Sequence, residues 1–208
     1  MELSKINKIS FIPKDPHCAL FLGQTGAGKT VFCLDLLETY FKDVFHHLVI
    51  ICPTINDNKT YQERAWIKKD KEVYQVIPNN NFNDILKYFH EKFKNEPTLF
   101  LIDDCSAERD LTIKKKELSK LAFSGRHTGH SVWILTQKYN SVLTDFREQI
   151  RWLVMFKCKD KDTFDECLKE NYVIKTAKEK EFIRKKLDEK PYAKLIICND
   201  VPTKWALL

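Results

Sequence analysis

Glycine is scarce in this chain, with five residues in 208. So little glycine leaves few places where the backbone can turn through positive φ or press closely on a ligand, so the positions where it collects are informative. Long apolar runs are missing too. The longest fall well short of the ~18 residues a membrane span needs, so no membrane partner is expected. No basic segment followed by a run of roughly 7–15 apolar residues opens the chain, and a secretory signal peptide is not expected. The seven cysteines, at 18, 33, 52, 105, 158, 167 and 198, form no Cys-x-x-Cys pair. Their odd number and scatter argue against a zinc site and a disulfide framework. Several lie inside apolar runs, where a free thiol behaves as a small hydrophobe. A soluble protein of a reducing, intracellular compartment is expected.

What is present describes an ordinary globular chain: 43% apolar and 31% charged residues, with a net charge of +6. That charge permits an anionic polymer as partner without requiring one. Short apolar runs recur at 18–22, 48–52, 99–102, 131–135, 152–156 and 194–198. They do not alternate with polar residues, as befits strands buried on both faces. Between them, Phe82, Ile85, Leu86, Phe89 and Phe93 recur at helical spacing, and Leu118, Leu121 and Ala122 mark another helix. Two charged helical segments are expected over roughly 163–190, and a polar excursion over 54–71. No repeat, low-complexity tract or linker divides the chain. The reading is one α/β domain over 1–208, with an N-terminal arm at 1–15 and a core at 16–208. Its central sheet is mostly parallel, with helices on both faces.

Three of the five glycines fall in Gly23-Gln24-Thr25-Gly26-Ala27-Gly28-Lys29-Thr30. This is a full G-x-x-x-x-G-K-[ST] phosphate loop, set between a strand-length apolar run and an apolar helix. Such a loop cradles phosphates with successive backbone N–H groups, helped by the partial positive charge of the following helix N-terminus. Lys29 is expected on the β- and γ-phosphates and the Thr30 hydroxyl on Mg²⁺. The domain is therefore read as a P-loop NTPase, with ATP and Mg²⁺ as its cofactors.

Leu99-Phe100-Leu101-Ile102-Asp103-Asp104 is an apolar strand ending in two carboxylates. Asp103 is the candidate metal acid and Asp104 the candidate base for an attacking water. Gln137 ends the next strand, where it can sense the γ-phosphate; Thr136 is the weaker candidate. Transition-state charge on a transferring phosphoryl group is often met by an arginine from a neighbouring subunit. Arg126, in the Gly125–Gly129 turn, and Arg147, just before the fifth strand, are the candidates. His127 and His130 lack supporting ligands and are read as turn and strand-entry residues. Lys114-Lys115-Lys116, with Lys120, is a solvated helix face or a contact for a phosphate backbone. The stretch from Lys178 to Lys190 mixes both signs and reads as a solvated helix.

The loop at 23–30, the Asp103-Asp104 strand end, the Gly125-Arg126-His127 turn, the strand ending in Gln137 and the Phe146-Arg147 element come in a familiar order. Together they resemble the DNA-packaging ATPases of poxviruses, other large DNA viruses, virophages and related self-synthesising transposons, a branch of the FtsK/HerA superfamily. The likeness covers roughly residues 16–200. It implies a ring of five or six subunits that hydrolyses ATP between neighbours and drives double-stranded DNA into a viral capsid, with a capsid or portal protein as partner. It places the protein at the site of virus assembly in the host cell, or in the virion. Asp104 replaces the Glu common elsewhere in the superfamily. A nuclease domain, an N-terminal barrel and a DNA-reading winged helix are not expected. Two other readings stay open. Arg147-x-x-x-Arg151 has the spacing of a nucleoside or nucleotide kinase lid, and a non-enzymatic nucleotide switch would also use the loop.

Overall fold

An apolar run becomes a strand here because every residue in it can be buried, with alternate side chains going to opposite faces of a sheet. The computed structural model describes residues 11–78, 81–105, 116–171 and 176–208. Its strands are β1 (Cys18–Leu22), β2 (His47–Ile51), β3 (Val73–Val76), β4 (Thr98–Asp103), β5 (His130–Thr136), β6 (Ile150–Phe156), β7 (Lys194–Cys198) and β8 (Lys204–Leu207). The helices are α1 (Lys29–Glu38), α2 (Lys59–Gln62), α3 (Ala65–Lys69), α4 (Phe82–Lys92), α5 (Lys116–Ser124), α6 (Thr144–Glu148), α7 (Lys161–Glu170) and α8 (Ala177–Glu189).

The strands form one sheet in the order β3-β2-β4-β5-β1-β6-β7-β8. From β3 to β6 every pairing is parallel, while β7 and β8 join antiparallel. Alternation divides the core in two. Ala19, Phe21, Ile50, Leu101, Trp133 and Val154 pack beneath α1, α2 and α3. Leu20, Leu22, Ile51, Phe100, Ile134 and Leu153 pack beneath helices α4, α5, α7 and α8 on the other face. The sheet is mostly parallel and covered on both sides, as the apolar runs imply. Six of the seven cysteines are buried in it or beside it.

Two strands have no counterpart in the apolar runs. Strands β3 and β8 are the edges of the sheet and are only half-buried or exposed, so neither needs a continuous apolar sequence. The expected polar excursion at 54–71 contains two short helices. Each is pinned by one buried residue, Tyr61 in α2 and Ile67 in α3. Of the N-terminal arm, residues 1–10 lie outside the described part, including Ile9 and Ser10. The remainder is held down: Ile12 is buried and its carbonyl accepts the Tyr40 hydroxyl at 2.9 Å.

Candidate nucleotide-binding site

Strand β1 sits between β5 and β6, and the loop after it is tied to both neighbours. Gly23 N–H donates to the Thr136 carbonyl at 3.2 Å and Gln24 N–H to the Lys157 carbonyl at 3.0 Å. These bonds extend the ladder past the strand and fix where the loop begins. Gly26 and Gly28 then turn the chain at φ 75° and 89°, in the left-handed region that other residues avoid. Gly28 caps α1 with no side-chain bond. The first N–H groups of that helix have no intrahelical acceptor and face the loop, which makes an anion site. Lys29 Nζ donates to the carbonyls of Gly23 at 2.8 Å and Gln24 at 3.1 Å, bracing the loop from within. Its burial pulls its pKa below the usual lysine value, while Asp103 and Asp104 oppose that shift.

The strand order β4-β5-β1 delivers the acids and the amide to the same edge of the sheet. Thr30 Oγ1 donates to Asp103 Oδ2 at 3.0 Å. Asp103 is buried, and desolvation raises its pKa, against the hydrogen bonds from Tyr61 and Thr30 and the charge of Lys29. A hydroxyl and a carboxylate in contact are a hard-oxygen pair of the kind Mg²⁺ uses, with phosphate oxygens and waters completing its shell. Asp104 is exposed and sits at φ 53°, just past the end of β4. Gln137 is exposed directly after Thr136, whose carbonyl holds the first loop glycine. The Thr136 side chain itself turns to Ser141 at 3.1 Å. One partner escaped the sequence reading. Tyr61, buried in α2, donates its hydroxyl to Asp103 Oδ2 at 2.7 Å. It lies in a four-residue helix with no periodicity, so only its aromatic character in a polar stretch hinted at burial.

The two arginines part company. Arg126 is exposed and makes no ion pair with a described residue. It lines a cavity of ≈ 430 Å³ with Cys18, Ile150, Arg151 and Asp200, at the N-terminal ends of β1 and β6. A five-residue strand spans roughly 16 Å, so Arg126 stands at the end of the sheet away from its own loop. Arg147 is committed within the chain: it bonds Glu170 at 2.9 Å and Asn140 at 3.3 Å and lies over the Tyr139 ring at 4.8 Å. Arg151 lies within β6 and is bonded to Asp15 and Asp200, so it is part of the sheet rather than of a lid over the loop. His130 is buried against His90, Nδ1 to Nδ1 at 2.9 Å, while His127 is exposed. Lys114 and Lys115 lie outside the described residues. The α8 stretch is largely exposed, with Ile183 and Leu187 buried.

The family model described as Poxvirus A32 protein matches residues 5–203, nearly the whole chain. The chain belongs to the poxvirus A32 protein family. Among solved structures, the A32-family chain is similar to the genome packaging NTPase B204 from Sulfolobus turreted icosahedral virus 2 in complex with AMPPCP. That match has a TM-score of 0.64 at 14% identity, over 94% of this chain and 98% of that one. A structure of B204 described as the DNA-packaging ATPase from Sulfolobus turreted icosahedral virus matches at TM-score 0.63 and 14% identity, over 94% and 97%. EssC (ATPases 2 and 3) from Geobacillus thermodenitrificans matches at TM-score 0.64 and 12% identity, over 93% of this chain and 39% of that one. Curated protein sequences give no match. At these identities the likeness is one of fold, and the fold is that of a P-loop NTPase. Among the described residues of the A32-family chain, no helix is long and apolar enough to cross a membrane.

Proposed function

We propose that the chain is the ATPase of a viral genome-packaging motor, hydrolysing ATP to move double-stranded DNA into a capsid. The observation that carries this reading is the Thr30–Asp103 contact beside the phosphate loop, with Asp104 and Gln137 just past the ends of the neighbouring strands β4 and β5, in a chain of the A32 family. Mg²⁺ supplies charge neutralisation at the β- and γ-phosphates when bound, and Thr30 and Asp103 are the residues that would hold it. The loop amides grip the phosphates, and Lys29 exchanges its two loop carbonyls for β- and γ-phosphate oxygens. Asp104 accepts a hydrogen bond from the attacking water and orients it in line with the bond to be broken. Gln137, beside the loop, reads whether the γ-phosphate is still attached.

The remaining charge of the transition state needs a further cation, and neither candidate arginine is bonded to the loop: Arg147 is held by Glu170 and Asn140, and Arg126 lies at the other end of the sheet. Arg126 fits that need in trans. It is exposed, without an ion pair among the described residues and at the far end of the sheet, and a heterologous ring contact joins two different faces of neighbouring subunits. Arg147 would first have to leave Glu170 and Tyr139. A ring of five or six copies, with a capsid or portal protein at its mouth and duplex DNA through it, completes the reading. The motor then works where virus particles assemble.

Steady-state ATP hydrolysis with and without linear double-stranded DNA tests this, with Lys29→Ala as control for contaminating activity. Salt-sensitive stimulation by DNA is expected. Turnover indifferent to DNA in assembled rings would overturn the motor and leave a kinase or a switch to be sought by acceptor screening.

A further inference from the structure

Beside the phosphate loop, on the side of β6 and β7, lies a cleft of ≈ 320 Å³ that the phosphate chemistry does not use. Gln24, Gly26 and Ala27 form one wall, and Leu187, Pro191 and Tyr192 the other. The second wall is the turn that joins α8 to β7. It is closed by Ala193 N–H to the Lys190 carbonyl at 3.2 Å, with Pro191 in its second position and Tyr192 in its third at φ 63°. A third turn residue at positive φ is ordinarily glycine, and a bulky side chain there is strained. Little of the strain is offset by burial, because Tyr192 is 51% exposed.

The ring is nonetheless well placed. It lies against Gly28, so that a Cβ at Gly28 would stand 2.8 Å from Tyr192 Cδ1. Val31, three residues further along the same helical face, is 37% exposed, unlike the buried apolar residues that follow it in α1. Two apolar side chains thus stand open to solvent beside the loop's last glycine. Asp188 and Lys157, also lining the cleft, are paired with each other at 3.0 Å.

We propose that this cleft receives the nucleobase of the bound nucleotide, with the Tyr192 ring stacking on the base. The inference rests on the reading of the loop as a nucleotide site and adds to it the part of the ligand that the loop does not touch. A ring reads a flat face, Lys157 and Asp188 are already paired with each other, and the remaining charged residue of the lining, Lys190, is exposed. The cleft therefore selects purine over pyrimidine by stacking area and distinguishes adenine from guanine poorly.

Equilibrium titration with MgATP, MgGTP, MgUTP and magnesium tripolyphosphate decides the matter on five proteins. The wild type is expected to bind ATP and GTP alike and UTP more weakly. Tyr192→Ala is expected to weaken ATP binding about ten-fold, the usual scale of base–aromatic stacking. It should bring ATP close to UTP and leave tripolyphosphate unchanged, while Tyr192→Phe retains the wild-type pattern. Tyr192→Gly relieves the turn, so it is expected to melt no lower than wild type while losing ATP affinity as the alanine variant does. Unchanged ATP affinity in Tyr192→Ala, or an equal loss for tripolyphosphate, would overturn the stacking role. If the loop itself were misread, Lys29→Ala would leave tripolyphosphate and ATP binding intact, a different result.

Discussion

At the scale of single residues, Asp103 is the most constrained group in the site. It is buried, its Oδ2 accepts from Thr30 and Tyr61, and desolvation raises its pKa. Replacing Tyr61 with Phe removes one of those donors with almost no change of shape. A buried acceptor that loses a donor costs about 1–3 kcal/mol, so a modest drop in melting temperature is expected. The larger effect falls on metal use, because groups that orient a ligand typically govern affinity by about 10–100-fold. The Mg²⁺ concentration for half-maximal ATP hydrolysis should rise by roughly that factor in Tyr61→Phe, and an unaltered requirement would reduce Tyr61 to packing. Asp104→Asn tests the neighbouring carboxylate. It should bind ATP as well as wild type and turn it over slowly, since the amide cannot draw a proton from water; wild-type turnover would remove Asp104 from the chemistry. The phosphate loop was legible in the sequence because its chemistry uses eight contiguous residues. Tyr61 was not, because its contact with Asp103 spans 42 positions and no local pattern records it.

At the scale of elements, the two candidate arginines are told apart by what surrounds them. α6 holds Arg147 against Glu170 of α7 and the Tyr139 ring, with Glu166 at 3.8 Å. Losing hydrogen bonds to charged groups costs about 2 kcal/mol, so Arg147→Ala is expected to lower the urea midpoint visibly. Arg126→Ala should leave that midpoint unmoved and lower turnover only in assembled rings. Mixing Arg126→Ala with Asp104→Asn subunits should restore part of the activity, because some interfaces then carry an intact Asp104 facing an intact Arg126. Mixed rings without rescue would count against Arg126. Helix α8 illustrates the opposite case, where local sequence suffices. Thr176 and Glu179 form a reciprocal capping box at its start, and its alternating charges keep its outer face in water.

At the scale of the whole molecule, the face of the sheet beneath α1 carries an aromatic cluster closed by a buried histidine. Trp133 Nε1–H donates to His17 Nε2 at 2.8 Å, and His17 Nδ1–H donates to the Asp15 carbonyl at 2.7 Å, which fixes the ring as neutral. Burial lowers its pKa to about 4, against the Asp15 bond that would raise it. His90 and His130 are lowered by burial as well. The unfolded chain therefore binds more protons than the folded one between about pH 6.5 and pH 4. Stability is full above that window and falls as pH drops through it, by about 3 kcal/mol from His17 alone. The raised Asp103 works in the opposite direction. Denaturant midpoints at pH 7.5 and 4.5 should record the loss, and His17→Gln should flatten the slope whatever its starting stability. A slope unchanged in that variant would assign the acid sensitivity elsewhere.

By itself the sequence determined what contiguous residues can encode: the phosphate loop, the six strands buried on both faces, and the helices with clear apolar periodicity. Edge strands β3 and β8 escaped it because a half-buried strand needs no unbroken apolar run. The tertiary structure alone decided which polar residues meet. Strand order, set by packing over both faces of the sheet, brings Asp103 to Thr30 and puts the strand ends before Asp104 and Gln137 side by side, sends Arg126 to the far end of the sheet, and lays Tyr192 against Gly28. Local backbone geometry follows from neighbours in the chain, whereas convergence at a site depends on contacts across it.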